Sequence, residues 1–271
     1  MSDKITTIFV ACHKKCDTPK DAIYLPLHVG AEGKDSIGFT PDNTGDNISS
    51  QNPIFCELTG LYWCWKNLQY DYLGLVHYRR YFTLKSKSEI KERGVLNTVL
   101  SSEEVKSLVN QYKVIVPKKR KYYIETIYSH YDHTFDGKQL DIARDIIESK
   151  YPEYLESFDI IMNRRSGYIF NMFIMEKELL NSYCEWMFDI LFTLVGKIGV
   201  EGMTDFEKRY AGRVSERLFN VWLEYQLQTG VLSQDDICEV GYSYLGEVDW
   251  PRKVKSFLAA KMFNKKYDKS F

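Results

Sequence analysis

Apolar residues fall into short β-branched runs separated by stretches with helical spacing. Residues 5–11 (ITTIFVA) are apolar and β-branched and predict a buried first strand. Residues 71–76 (DYLGLV) and 112–117 (YKVIVP) predict two more, and 167–175 (GYIFNMFIM) a fourth with Asn171 at its centre. Apolar positions at helical spacing predict helices over 57–68, 177–195 and 214–228, the last with Ser215 as its N-cap. Residues 85–105 read as helix and surface loop, and 128–158 as helical with a new turn at Tyr151-Pro152. Strands alternating with helices predict an α/β fold. The polar segment 30–53, rich in Gly, Asp, Asn and Ser, is too long to be a mere connector. Without a flexible linker, the expected division is one domain over 1–250 and a basic amphipathic tail over 251–271.

Each predicted strand ends in polar or basic residues. The first runs into Cys12-His13-Lys14-Lys15, the second into His77-Tyr78-Arg79-Arg80, the third into Lys118-Lys119-Arg120-Lys121. In α/β sheets ligands bind outside the carboxyl ends of the strands. His77, Arg79 and Arg80 therefore read either as a core histidine with surface ion pairs or as an anion site, since the Arg fork matches phosphate oxygens two at a time. Strand alternation would send Arg79 and Arg80 to opposite sides, with His77 on the side of Arg79. The run 118–121 with Tyr122 and Tyr123 reads as a solvated strand end or a phosphate or RNA contact.

Composition narrows the field only partly. The 271 residues are 44% hydrophobic and 27% charged, which suits a soluble globular chain. Aromatic content is 15% with 20 Tyr, compatible with carbohydrate handling or a Tyr-rich groove. A net charge of −1 argues against a chain-wide nucleic-acid footprint, and no nucleic-acid partner is expected. The first fifteen residues lack the pattern of a secretory signal, and no run reaches the ~18 apolar residues of a membrane span. The six cysteines are scattered; Cys12 and Cys16 have no second pair at metal-site spacing. The expected location is cytoplasmic, with reduced thiols. Dinucleotide, Walker and nucleophile-elbow motifs are absent.

Four further constellations carry candidate chemistry. Asp42 to Asn52 (DNTGDNISSQN) reads as an Asx-turn loop or as a loop reading sugar or ribose hydroxyls, with Asp46 and Asn47 as candidates. A buried Asn171 must be hydrogen-bonded, to protein or to ligand. Glu216, at the predicted start of the last long helix, reads as helix-end chemistry or as a general base held ionised by Arg213 and Arg217. His130 and His133 (HYDH) form a pair without a third metal ligand nearby.

The ordered strings LPLHVGA, DNTGDNIS, NPIFCELTGLYWCWKN, YLGLVHYRRYF, NMFIM with YCEWMFDIL, and SERLFNVWL resemble one bacterial domain-of-unknown-function family over about residues 5–260. Its members belong to capsular and exopolysaccharide clusters and act as glycosyltransferases, galactofuranosyl transfer among them. The resemblance implies a GT-A-like fold, a Rossmann-type nucleotide-sugar-binding sheet flanked by helices, with a C-terminal helical extension. It implies a nucleotide site near His13, a polar residue (Asn171) aimed at the sugar, an acidic residue in SERLFNVWL, and a closing loop at SYLGEVDWP. One departure stands out. Where GT-A enzymes carry Asp-x-Asp for a metal, this chain has HYRR, so no metal or other cofactor is expected and cations would take the metal's electrostatic role.

The resulting expectation is a cytoplasmic glycosyltransferase, peripheral on the inner face of the membrane, moving a sugar from a UDP-sugar to a lipid-linked capsule, O-antigen or exopolysaccharide glycan by inversion. Glu216 is the expected base, with Asp46 and Asp132 in reserve. His13, His77, Arg79, Arg80, Asn47 and Asn171 are the expected donor and diphosphate contacts. The tail from Arg252 to Lys269 suits an anionic membrane surface. The rival is a non-catalytic sugar- or nucleotide-binding module of a polysaccharide assembly complex.

Overall fold

The computed structural model describes residues 4–246. The chain opens with β1 (Thr6–Cys12), β2 (Tyr24–His28) and the short β3 (Thr40–Pro41). After a loop come α1 (Asn52–Phe55), α2 (Leu58–Asn67), β4 (Tyr72–His77) and β5 (Arg80–Thr83). Helices α3 (Lys87–Arg93) and α4 (Ser102–Val109) lead to β6 (Val114–Pro117) and the short β7 (Arg120–Lys121). Next are α5 (Ile127–Thr134), α6 (Lys138–Lys150) and α7 (Leu155–Asn163), then β8 (Ser166–Gly167) and β9 (Phe173–Glu176). The long α8 (Lys177–Ile198) and α9 (Tyr210–Gln228) precede β10 (Ile237–Tyr244). The fold is thus the mixed α/β one the alternation predicts.

The first four sheet positions are parallel, in the order β3-β2-β1-β4. Burial on both faces explains why their apolar runs are nearly continuous. In β1, Phe9 and Ala11 face a core built with α2, α8 and α9, while Ile8, Val10 and Cys12 face a second core that includes Val105 and Leu108 of α4. Gly74 lets β4 lie close under its neighbours, since a Cβ there would meet Ile174 at 2.9 Å and Ile8 at 3.0 Å.

Beyond β4 the sheet departs from a simple Rossmann-type arrangement. Residues 72–75 of β4 pair antiparallel with β9, but His77 pairs with Arg80 of β5. β5 then leaves to pair with β10, β10 pairs with β6, and β6 returns to β9. The strands β4, β5, β10, β6 and β9 close on themselves like a small barrel.

Several expectations change at this level. The predicted strand over 167–175 is broken: Ser166–Gly167 pairs with β7, whereas the sheet strand starts only at Phe173. Between them Phe170 and Asn171 take left-handed backbone, with φ of 76° and 53°. Ser215 is no N-cap, because α9 begins at Tyr210 and places it inside the helix. β2, β5 and β10 lacked a strand signal strong enough to read. The polar segment 30–53 is held by a hub: buried Asp42 accepts hydrogen bonds from the backbone of Gly30 and Ala31 and the hydroxyls of Ser49 and Thr59. Among the described residues, no helix is long and apolar enough to cross a membrane. The expected tail over 251–271 lies outside the described residues.

Candidate functional site

The carboxyl ends of β1 and β4 bring the first two polar strand ends together. His13 follows β1, and its ring meets Tyr78 edge-on with centroids 5.0 Å apart. Burial pushes the imidazole of His13 below its usual pKa, and the cations of Lys14, Arg79, Arg209 and Lys34 push it further. These cations converge from β1, the loop after β2, the β4–β5 turn and the residue preceding α9. Cations gathered in this way attract negative charge.

The HYRR sequence is a hairpin, not a continued strand, and its side chains divide their roles. Arg79 is exposed; it donates to the Tyr244 hydroxyl at 3.2 Å and lies over the Tyr78 ring. Its carbonyl accepts from the Leu245 amide at 2.7 Å, so the end of β10 clamps the turn. Arg80 is half-buried, with its guanidinium 4.3 Å from the Phe170 ring centre and 5.4 Å from that of Tyr244. His77 donates from Nε2 to the Phe170 carbonyl. Of the three residues, Arg79 faces the basic cluster while His77 and Arg80 brace the turn.

Asn171 is 4% exposed, and its amide is spent on protein. It donates to Glu57 Oε1 at 2.8 Å and to the Gly212 carbonyl at 3.1 Å, and accepts from Ser215 Oγ at 3.0 Å. These bonds support the two successive left-handed residues, each of which costs about 1 kcal/mol or more outside glycine. The contact joins β9, α9 and the α1–α2 junction. Gly212 permits the close approach, because a Cβ there would lie 3.2 Å from Cys56.

That junction supplies groups the sequence reading missed. Glu57 precedes α2, is half-buried, and bears electrostatically on both Cys56 and Arg209. Arg209 donates to Cys56 Sγ at 3.2 Å. Glu57 stood in the sequence as the first residue of an apolar helix; only its position ahead of the first turn hinted at more. Arg209 carried no local signal.

Glu216 follows Ser215 on α9, accepts from its neighbour Arg217 at 2.7 Å and, like Arg209 and Cys56, bears electrostatically on Arg213. The Asp46 carboxylate meets the Tyr62 hydroxyl, and its backbone bonds to Asn67 at the far end of α2, about 15 Å from Glu57 at the helical rise. Asn47 closes a local turn, donating to the Gly45 carbonyl and accepting from the Ser49 amide. The loop 42–52 is thus bonded as a turn-rich scaffold. Asp132 accepts from the Gly137 amide between α5 and α6.

Two further polar features lie outside the cluster. A polar cavity of about 270 Å³ is lined by Lys119, Arg164, Tyr168, Asn220 and Glu224. Its Arg164 and Glu224 neutralise each other at 2.6 Å, and Lys119 lies over the Tyr168 ring and 3.9 Å from Glu239, so its cations are already engaged. The HYDH histidines share one buried carboxylate: His130 and His133 each meet Glu125 through Nδ1 at 2.8 Å. Among the described residues, no group of three or more His, Cys, Asp or Glu is arranged to hold a metal.

Burial pushes His130 down to about 4, outweighing the attraction of Glu125, with Arg120 and Arg217 acting in the same direction as burial. The unfolded chain takes up this proton near pH 6.5, and the folded chain only near the lower value. Stability is therefore lost as pH falls between the two. From pH 7 to 5 this histidine should cost about 2 kcal/mol. Urea unfolding at both pH values checks it: the pH dependence should shrink by that amount in His130→Asn.

Comparison with known proteins gives this geometry a context. No curated protein matches. In sequence, a family described as a domain of unknown function, DUF4422, matches residues 7–227. Among solved structures the chain is similar to the bifunctional glycosyltransferase WbbM in its apo form, at 31% identity and a TM-score of 0.80. The match covers 90% of this chain and 46% of that one, so this chain spans about half the length of WbbM. The chain belongs to the DUF4422 family, the kind of glycosyltransferase-related family that its ordered motifs resembled.

Proposed function

We propose that this chain is a metal-independent glycosyltransferase that moves a sugar from a nucleoside-diphosphate donor to a hydroxyl acceptor. The observation that carries the reading is the convergence of Lys14, Lys34, Arg79 and Arg209 around the imidazole of His13, with the carboxylate of Glu57 bearing on Arg209. The similarity to WbbM supports it, as does the order β3-β2-β1-β4 followed by antiparallel β9, which suits a GT-A-type donor domain. UDP is the expected nucleotide. A lipid-linked glycan of capsule, O-antigen or exopolysaccharide is the expected acceptor, with galactofuranose as one donor sugar to test.

In this reading a carboxylate takes the acceptor hydroxyl proton, the oxygen attacks the anomeric carbon, and the bond from that carbon to the diphosphate breaks with inversion. The leaving diphosphate gains negative charge, which Arg79 and Arg209 are placed to offset. We assign the base to Glu57 rather than Glu216, because Glu57 bears on Arg209 of the cluster and its Oε1 is oriented by the neutral Asn171 amide, while Glu216 is held in a direct ion pair with Arg217.

Removing a general base costs about 10²–10⁴-fold in rate. Glu57→Gln should lose that much turnover with donor affinity nearly unchanged, and Glu216→Gln less than about tenfold. The reverse pattern would move the base to Glu216. Purified protein that binds UDP-sugars but neither transfers nor hydrolyses them would instead support the binding-module reading.

A further inference from the structure

The basic run after β6 is unabsorbed by the proposed chemistry, yet the fold builds it into a defined projection. β7 pairs with β8, fixing Arg120 and Lys121 opposite Gly167 and Ser166. Tyr122 turns inward: it is 7% exposed, its ring centre lies 4.5 Å from that of His130, and its amide donates to the Arg165 carbonyl at 2.8 Å. The next residue turns outward. Tyr123 takes φ of 60°, and the tip presents Tyr123 at 78% and Ile124 at 62% exposure. A bulky aromatic in left-handed backbone is unfavourable by itself. Here it aims two apolar side chains into solvent.

Cations surround that tip. Lys118, Arg120, Lys121 and Arg165 are all exposed, and Arg165 donates to the Tyr123 carbonyl at 3.5 Å. Lys119 is partly engaged, 3.9 Å from Glu239 and over the Tyr168 ring. Glu125, the nearest acidic residue in sequence, is buried and committed to the two histidines. The projection leaves the carboxyl end of β6, which runs parallel to β10, and β10 ends beside Arg80. It therefore rises from the same edge of the sheet as His13 and Arg79.

We propose that residues 118–124 with Arg165 form a docking surface for an anionic lipid bilayer, Tyr123 and Ile124 entering the headgroup layer and the cations meeting its phosphates. Aromatic and aliphatic tips flanked by Lys and Arg are the chemistry that partitions to a charged membrane interface. This does not depend on glycosyl transfer. If both hold, the surface would turn the strand-end site toward lipid.

The test is vesicle flotation of the full chain, with phosphatidylcholine vesicles and with vesicles also containing phosphatidylglycerol. Wild type should float with the anionic vesicles, less so at high salt, and not with the neutral ones. Each interfacial cation contributes about fivefold in partitioning. The triple variant Lys118→Gln/Arg120→Gln/Lys121→Gln should therefore lose on the order of 10²-fold. Tyr123→Ser/Ile124→Ser should lose roughly tenfold or more, from lost apolar contact. Thermal unfolding confirms that each variant is folded, and both keep residues 247–271 unchanged. Anionic-vesicle binding that persists undiminished in both variants would overturn the proposal, as would wild type floating equally with neutral vesicles or with neither. Loop-dependent retention by single-stranded RNA without vesicle binding would also overturn it and assign the loop to nucleic acid.

Discussion

Arg79→Ala is expected to lower glycosyl transfer by about 10²–10³-fold, the usual loss when one preorganised donor to a developing negative charge is removed. Arg79 is the member of HYRR that reaches the basic cluster, exposed and steadied by the Tyr244 hydroxyl and the Leu245 amide. Its charge matters most as the diphosphate departs, so the loss should fall mainly on turnover rather than on donor affinity. Arg79→Lys should recover only part of it, because an ammonium cannot present two parallel donors to phosphate. Arg80→Ala should act mainly on stability, since its guanidinium packs between the Phe170 and Tyr244 rings. Steady-state rates with a UDP-sugar, alongside donor titration, separate these effects. Excess chelator in the same assay should leave the wild-type rate unchanged. Restoration of a chelator-abolished rate by manganese or magnesium would return the diphosphate to a metal.

Asp42→Ala is expected to destabilise the fold by about 3–5 kcal/mol, the scale for removing one member of a buried hydrogen-bonded charge network. The carboxylate is fully buried and collects the Gly30 and Ala31 amides with the Ser49 and Thr59 hydroxyls. Alanine would orphan the amides, whereas the hydroxyls could turn to other acceptors. For a chain of this size the midpoint of thermal unfolding should fall by roughly 10 °C. Circular dichroism during heating measures it. A shift of only one or two degrees would mean that water replaces the carboxylate.

Asp42 also shows how local composition can mislead. A stretch of Asp, Asn, Ser and Gly has the same appearance whether it reads a sugar or ties down a loop. Here the turns close on themselves through Asn47, and the acid at the start of the stretch points into the core. The helix start near Ser215 is displaced for a related reason. The pattern predicts a start there, yet α9 begins earlier, where Tyr210 and Ala211 are already buried. The helix start therefore falls beside Arg209, and with it the link to Cys56. Asn171 was legible as a polar residue demanding a partner. Its partners, Glu57, Gly212 and Ser215, come from distant segments that no local window contains.

The sequence by itself determined the alternation of strands and helices and the two-sided burial of β1 and β4. It also placed cations where those strands end. These follow from side-chain periodicity, which is local: an apolar run too short for a helix and buried on both faces is a strand, and charge gathers where it leaves the core. Only the tertiary structure decided which strand-end groups come together. Arg79 and Arg209 approach His13 because β1 and β4 lie parallel and α9 packs through Gly212 onto the α1–α2 junction. Strand register and helix packing are set by contacts between distant segments. They therefore chose Arg79 over Arg80 to face the cluster and brought Glu57 to its side.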